Sequence, residues 1–330
     1  MLRIHLSEAD HGRIRVASGP DPMWEIAMSL HRFQTRRGRW AFAAWYRSAR
    51  QRLRQPELNR DLRLLLPLFP RAVYFPDFLT PSEARDGLDA GVEAVLSAPR
   101  SRVRGELTRL STTVDGTPAW LARLADGDGR TALATALRTY HDAVIAPYQE
   151  DMQAAVDADR AFRARAILDA GADGLLRSLG PGIRWRPPVL EVDYCCTREL
   201  YLDGRGLLLV PSYFDWQQPV ALADPALPPV LIYPVHHERP LGPEDRERLD
   251  TPLATLLGRN RAAILHLASV GATGAELARA LGVSPGTVTF HTRALREANL
   301  ITSRRHAATV LHSLTPLGAA LLRARPAGSQ

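Results

Sequence analysis

The stretch from Thr273 to Asn299 constrains this chain more than any other, because its capping, small and apolar residues fall in the order that two short crossing helices require. Thr273 stands where it can cap a helix over Gly274 to Leu281, and Gly282 supplies a turn with access to positive φ. Ser284 then stands as the N-cap of a second helix, with Pro285 at a first position that needs no N–H donor. Ala278 is small enough for the two helices to cross closely, while Leu277, Leu281, Val283, Val288 and Leu295 have the spacing to fill the core beneath. This order predicts a helix-turn-helix. Before it, Leu253, Leu256, Leu257, Ile264, Leu267 and Ala268 share one face of a single helix expected to end near Gly271.

The second helix of the pair, Pro285 to Asn299, has its inward face fixed by Val288 and Leu295, one heptad apart. Thr287, Thr289, Phe290, Arg293 and Arg296 fall outside that face or on its flanks. Threonine and arginine suit base edges and phosphates in a major groove, so these positions, with Ser284 at the helix start, are the expected DNA-binding residues. Phe290 is the one Phe, Tyr or Trp after residue 252. It lies about 200° around the helix from Val288, facing away from the core. Contact with a base methyl, or packing under a wing or against a partner subunit, both fit that position. Further on, Leu300 to Arg305 and Val310 to Leu314 flank His306-Ala307-Ala308-Thr309, which predicts a two-stranded wing over 301–314. Arg304, Arg305 and His306 stand where such a wing reaches phosphates or a minor groove, although a solvated turn would carry the same residues. Thr315-Pro316 begins a last helix that runs to about Ala324.

Charge points the same way once it is located. Nine of the 42 basic residues and two of the 35 acidic ones follow residue 252, which leaves 33 of each in the preceding part. The whole positive excess of the chain therefore sits in its last quarter, the footprint of a module that neutralises phosphates.

The runs Glu276-Leu277-Ala278-Arg279-Ala280-Leu281-Gly282-Val283-Ser284 and Thr287-Val288-Thr289-Phe290-His291-Thr292-Arg293-Ala294-Leu295-Arg296-Glu297-Ala298 resemble the winged-helix regulators of the arsenic-repressor (ArsR-like) family over about seventy residues. The resemblance implies a homodimer that reads an inverted repeat in double-stranded DNA, and a repressor role. Metal-sensing members carry thiol or His/Asp clusters on the first motif helix or on the last helix. Gly274 to Leu281 and Pro316 to Arg325 contain none, so metalloid sensing is not expected. Asp21-Pro22-Met23-Trp24-Glu25, together with Arg184 to Pro188 and Leu207 to Phe214, looks like the uncharacterised N-terminal domain of many actinobacterial regulators, a resemblance that assigns no ligand.

The first part of the chain reads as an α+β domain, mostly helical with a small β-sheet. Leu2, Ile4 and Leu6 alternate, as do Ile14 and Val16, which predicts a β-hairpin. Asp21-Pro22 starts a helix, and helical patterns follow through Arg39 to Leu53, after a capping box at Thr80 to Glu83, and from Thr117-Pro118. A nearly continuous pattern from Gly129 to Ala170 should be kinked or divided at Pro147. Apolar runs at 189–192, 207–210 and 230–233 read as strands, two of them joined by a tight turn at Asp203 to Gly206. The expected division is 1–235 for this domain, 236–252 for a connecting segment and 253–325 for the winged helix.

No dinucleotide fingerprint, phosphate loop, nucleophile elbow or zinc spacing is present, so neither an enzyme nor a cofactor is expected. Two rival classes remain: a winged-helix protein-interaction module, and an enzyme using a winged helix for dimerisation, for which the glycine-rich cofactor turn is missing. Consecutive His236-His237-Glu238 does not match metal-ligand spacing, and no metal is expected. Neighbouring Cys195 and Cys196 read as packing residues on a strand in a reducing compartment. No apolar run reaches membrane-spanning length, and the expectation is a cytoplasmic protein without a membrane partner. All six tryptophans precede residue 217, where either a pocket for a small-molecule effector or ordinary core packing accounts for them.

Overall fold

The computed structural model describes residues 1–35, 41–72, 74–180, 182–235, 237, 252–269, 272–306 and 309–323. Its contacts group into two units, Met1–His237 and Glu238–Gln330. Most of the expected connecting segment, together with His236 and Glu238, lies outside the described residues.

The N-terminal unit is α+β. Eight helices occupy most of its first 178 residues: α1 Glu8–His11, α2 Pro22–Phe33, α3 Ala43–Arg52, α4 Pro56–Leu65, α5 Leu88–Ser97, α6 Arg100–Thr113, α7 Gly127–Tyr140 and α8 Gln149–Ser178. Asp21 caps α2 as its sequence requires, accepting from the backbone N–H groups of Met23 at 3.0 Å and Trp24 at 3.1 Å. The long pattern around Pro147 is indeed divided, by a π-turn over His141–Ile145 and a 3₁₀ turn over Ala146–Tyr148. The capping box expected at Thr80 does not form. Ser82–Asp86 coils as a 3₁₀ turn, and α5 starts only after Gly87, whose φ of +121° breaks the path between them.

Two four-stranded sheets replace the single small sheet expected. Their strands are β1 Leu2–His5, β2 Ile14–Val16, β3 Ile183–Arg186, β4 Val189–Val192, β5 Arg198–Tyr201, β6 Leu207–Ser212, β7 Val220–Ala221 and β8 Val230–Pro234. One sheet has the order β3-β4-β1-β5 and the other β2-β6-β8-β7. The predicted N-terminal hairpin is therefore wrong: β1 pairs antiparallel with β4 and parallel with β5, whereas β2 runs parallel to β6. The reason lies between the strands. Ser7 and Asp10 form a capping box for α1, which carries the chain from one sheet to the other. The Asp203–Gly206 turn likewise joins strands of different sheets and closes no hairpin. Buried Asp10 ties both crossings together, accepting from the Ser7 backbone N–H at 2.7 Å and from that of Gly206 at 2.8 Å.

Leu2, Ile4, Leu190, Val192 and Leu200 of the first sheet share one core with Leu207, Leu209 and Leu231 of the second and with Leu175 and Leu176 of α8. A buried ion pair, Arg163 to Asp159 at 2.7 Å, is anchored by the Tyr233 hydroxyl, which donates to Asp159 at 2.5 Å and so fixes α8 against β8. Trp24, Trp45, Trp185 and Trp216 are all at most 8% exposed, so these tryptophans serve as core. Trp40 lies outside the described residues. Cys195 and Cys196 are free and sit in a bend rather than on a strand, Cys195 exposed and Cys196 half-buried. Because β4 and β5 flank β1 on opposite sides, their connection must cross the end of β1, and the two thiols fall on that crossing.

The C-terminal unit contains α9 Pro252–Leu257, α10 Arg259–Ala268, β9 Ala272–Thr273, α11 Gly274–Leu281, α12 Pro285–Glu297, β10 Ile301–His306, β11 Thr309–Leu314 and α13 Pro316–Arg323. The single helix expected before the motif is two, because Gly258 adopts φ +83° and starts α10 afresh. β10, β11 and β9 form an antiparallel sheet in that order. Ile264, Leu265, Leu277, Val288, Leu295 and Ile301 make its core. Among the described residues, no helix is long and apolar enough to cross a membrane.

Candidate nucleic-acid interface

The turn between α11 and α12 is built as its residues dictate. Gly282 takes φ +65°, where a side chain would be strained. Ser284 caps α12 through its hydroxyl, which accepts from the Thr287 N–H at 3.2 Å, and the two hydroxyls lie 2.9 Å apart. Ser284 and Thr287 are thus committed to the helix start. Val288 and Leu295 are buried at 2% and 1% exposure, and Thr292 joins them inside at 5% while its hydroxyl donates to the Val288 carbonyl. That third inward position was missed because a threonine in a helix was counted as polar.

The opposite side of α12 is open. Phe290 is 63% exposed, its ring 5.4 Å from that of His291 in an edge arrangement. Thr289, Arg293 and Arg296 are exposed and, with Val288 and Thr292 of the inward side, line a groove of about 460 Å³ along the flank of the helix, whose far wall is Val310 and His312 of β11. Thr289 donates its hydroxyl proton to the Pro285 carbonyl at 3.0 Å, leaving its oxygen lone pairs outward. Arg293 Nε meets Glu297 Oε1 at 2.8 Å, which occupies one edge of the guanidinium and leaves the terminal fork. Sequence reasoning placed Glu297 in the motif without this role, although four-residue spacing is its signal.

The expected wing is present as β10 and β11, paired from Ile301–Leu314 to His306–Thr309. Arg304, Arg305 and His306 occupy β10, but their side chains lie outside the described residues. His312, not anticipated, turns inward on the wing and meets the Ser303 hydroxyl at 2.8 Å. Burial, then the charge of Arg296, lowers its pKa. His291 is similarly lowered, by burial and by Arg261. Both rings are therefore neutral at physiological pH, and His312 is the one that lines the groove. Among the described residues, no group of three or more His, Cys, Asp or Glu side chains is placed to hold a metal. His237 packs instead against Phe42 and Tyr213, ring centroids 4.6 Å away in each case.

An N-capped helix with an exposed polar face, preceded by a short crossing helix and followed by a two-stranded ribbon, defines a winged helix-turn-helix. Residues 270–302 match the family model described as winged helix-turn-helix DNA-binding. The C-terminal unit is a DNA-binding domain of that kind. No curated protein and no solved structure matches the chain.

Proposed function

We propose that this protein is a transcriptional regulator of the ArsR-like type, a cytoplasmic homodimeric repressor that reads an inverted repeat through α12 and the wing. The observation that carries the reading is the outward face of α12, where Thr289, Phe290, Arg293 and Arg296 stand free of the core beside a wing in the unit that holds the chain's positive excess. Threonine and the arginine fork supply base-edge donors, and the wing arginines supply phosphate contacts. Leu256 and Leu317, 73% and 53% exposed on α9 and α13, each leave an apolar side chain that a second copy could cover. The N-terminal domain, which we assign to the type that precedes such motifs in actinobacterial regulators, responds to a small-molecule effector in this reading and performs no catalysis.

Fluorescence anisotropy tests it. DNA from upstream of the protein's own gene is compared with scrambled DNA of equal length over a salt series. Tighter, salt-sensitive binding to the native fragment is expected. Equal or absent binding to both would overturn the reading in favour of a protein-interaction module.

A further inference from the structure

The N-terminal unit contains a half-open cavity of about 420 Å³, within the roughly 300–1,000 Å³ typical of small-molecule sites. Its walls come from α2, the loop after α4, α6, the cysteine bend and the segment around β7. Buried polar atoms nearly always find partners. Here His31 Nε2, Arg32 Nε and Nη1, Tyr74 Oη and Asp215 Oδ2 have none, and each of the four side chains lines the cavity. All four residues are at most 8% exposed. Elsewhere among the described residues such atoms are fewer, one in Arg130 and one each in neighbouring Arg261 and His291.

Several of the surrounding charges are engaged, while Arg109 lies over the Tyr74 ring, 4.2 Å from its centroid, and has no carboxylate partner among the described residues. Arg198 donates to the carbonyls of Leu222 at 2.7 Å and Ala223 at 3.1 Å, and Arg71 donates to Gln218. Asp77 accepts from the N–H groups of Ala223 at 2.9 Å and Asp224 at 2.8 Å. What is left over specifies a complement. Arg32 offers two donors on a permanent cation, which call for an anion. Burial, then Arg32 and Arg71, takes His31 down to about 3, so its ring is neutral. That ring donates toward the Pro70 carbonyl, which leaves Nε2 as an acceptor. Asp215 Oδ2, on a carboxyl that burial raises to about 7, accepts when ionised and donates when protonated, and Met28 and Phe75 add apolar wall. Nε and Nη1 point to opposite sides of the guanidinium, unlike the Nε and Nη2 with which Arg163 grips Asp159, so a carboxylate oxygen meets one of them at a time.

We propose that this cavity binds a small organic acid with a hydroxyl or amino group on an apolar body, its carboxylate on Arg32 and its donor on His31 Nε2 and Asp215 Oδ2. Glu25 holds the site open: from α2 it accepts from the backbone N–H groups of Tyr213 at 2.7 Å and Phe214 at 3.0 Å, which sets Asp215 opposite Arg32 two turns along the same helix. That the ligand is the regulator's effector rests on the function proposed above; the site itself does not.

Isothermal titration of the full chain without DNA tests the site, with 4-hydroxybenzoate and L-phenylalanine as probes. Benzoate lacks the donor and 4-hydroxybenzamide lacks the charge. At least one probe should bind saturably at one per chain, with its control about tenfold weaker or more, as loss of a charge-assisted hydrogen bond implies. Arg32→Met should lose binding by a similar factor, measured at a temperature where its melting curve shows the variant folded. Tyr74→Phe removes no hydrogen bond of the fold and serves as the second variant, with weaker binding expected. Absence of saturable heat from both probes overturns the proposal, as does unchanged binding in both variants. Because no DNA is present, failure here leaves the DNA-binding reading standing, and failure of DNA binding leaves this site standing.

Discussion

On the exposed face of α12, Glu297 holds Arg293 one helical turn away, carboxylate to Nε at 2.8 Å. The hydrogen bond and charge of Arg293 lower the Glu297 carboxyl, so the pair stays ionised at neutral pH. The pair therefore aims the arginine fork and at the same time places one negative charge near phosphate. Arg293→Ala should weaken specific binding by roughly 1–3 kcal/mol if the fork reads a base. Glu297→Gln should tighten binding to native and scrambled DNA alike and relax the preference between them. Anisotropy with both fragments checks this, and unchanged affinity in both variants would remove Arg293 from the interface.

Leu256 and Leu317 are large apolar side chains left outward on a unit whose core is otherwise complete. If a second copy covers them, Leu256→Glu and Leu317→Glu should each shift the protein toward a monomer in sedimentation or light scattering, with little change in melting temperature at low concentration. DNA affinity should fall with them, since two linked half-sites give way to one. A wild-type protein that is monomeric at micromolar concentration would end the dimer argument.

Two glycines with nearly equal φ should respond very differently to alanine. At Gly282, φ +65°, an added Cβ meets nothing within 4 Å, so the cost is backbone strain alone, about 1–2 kcal/mol. At Gly206, φ +75°, the same atom would lie 2.4 Å from the Arg13 carbonyl oxygen and break the approach on which the Asp10 bond depends. Gly206→Ala should therefore be clearly the more destabilising in urea melts. Equal losses would mean that the crossing between the sheets relaxes freely.

Burial raises the Asp215 carboxyl to about 7, against the opposing pull of Arg32, from an ordinary value of 3.8. Between those values the folded chain keeps a proton that the unfolded chain gives up, so this group adds stability as pH falls from 8 toward 5. Asp215→Asn cannot titrate and should show a smaller gain over the same window. Urea melts at several pH values in that range check the difference, and parallel curves would place the Asp215 pKa near its ordinary value.

The C-terminal domain was largely legible because its signals are local. Ser284, Pro285 and Gly282 act on their own backbone, and Val288 with Leu295 marks an inward face within one helix. The same locality explains the reading of Asp21 as a cap. Where the sequence misled, the deciding partner was distant: β1 alternates like one arm of a hairpin, yet pairs with strands near residues 190 and 200. The cavity was illegible for a related reason. Met28, His31 and Arg32 read as part of an ordinary buried helix, and only the fold sets Tyr74 and Asp215 beside them. Tryptophan content pointed to a pocket, but none of the described tryptophans lines it.

The place of β1 between β4 and β5 also orders events during synthesis. Helices α2 to α7 can begin to form as they emerge, since the backbone hydrogen bonds of a helix close within one turn, whereas β1 must wait until residues 189–201 have left the ribosome before either edge is paired. For most of translation the first strand is an apolar ribbon with two open edges, the species that holdase chaperones recognise. A nascent chain stalled before residue 189 should therefore carry its aggregation hazard in β1.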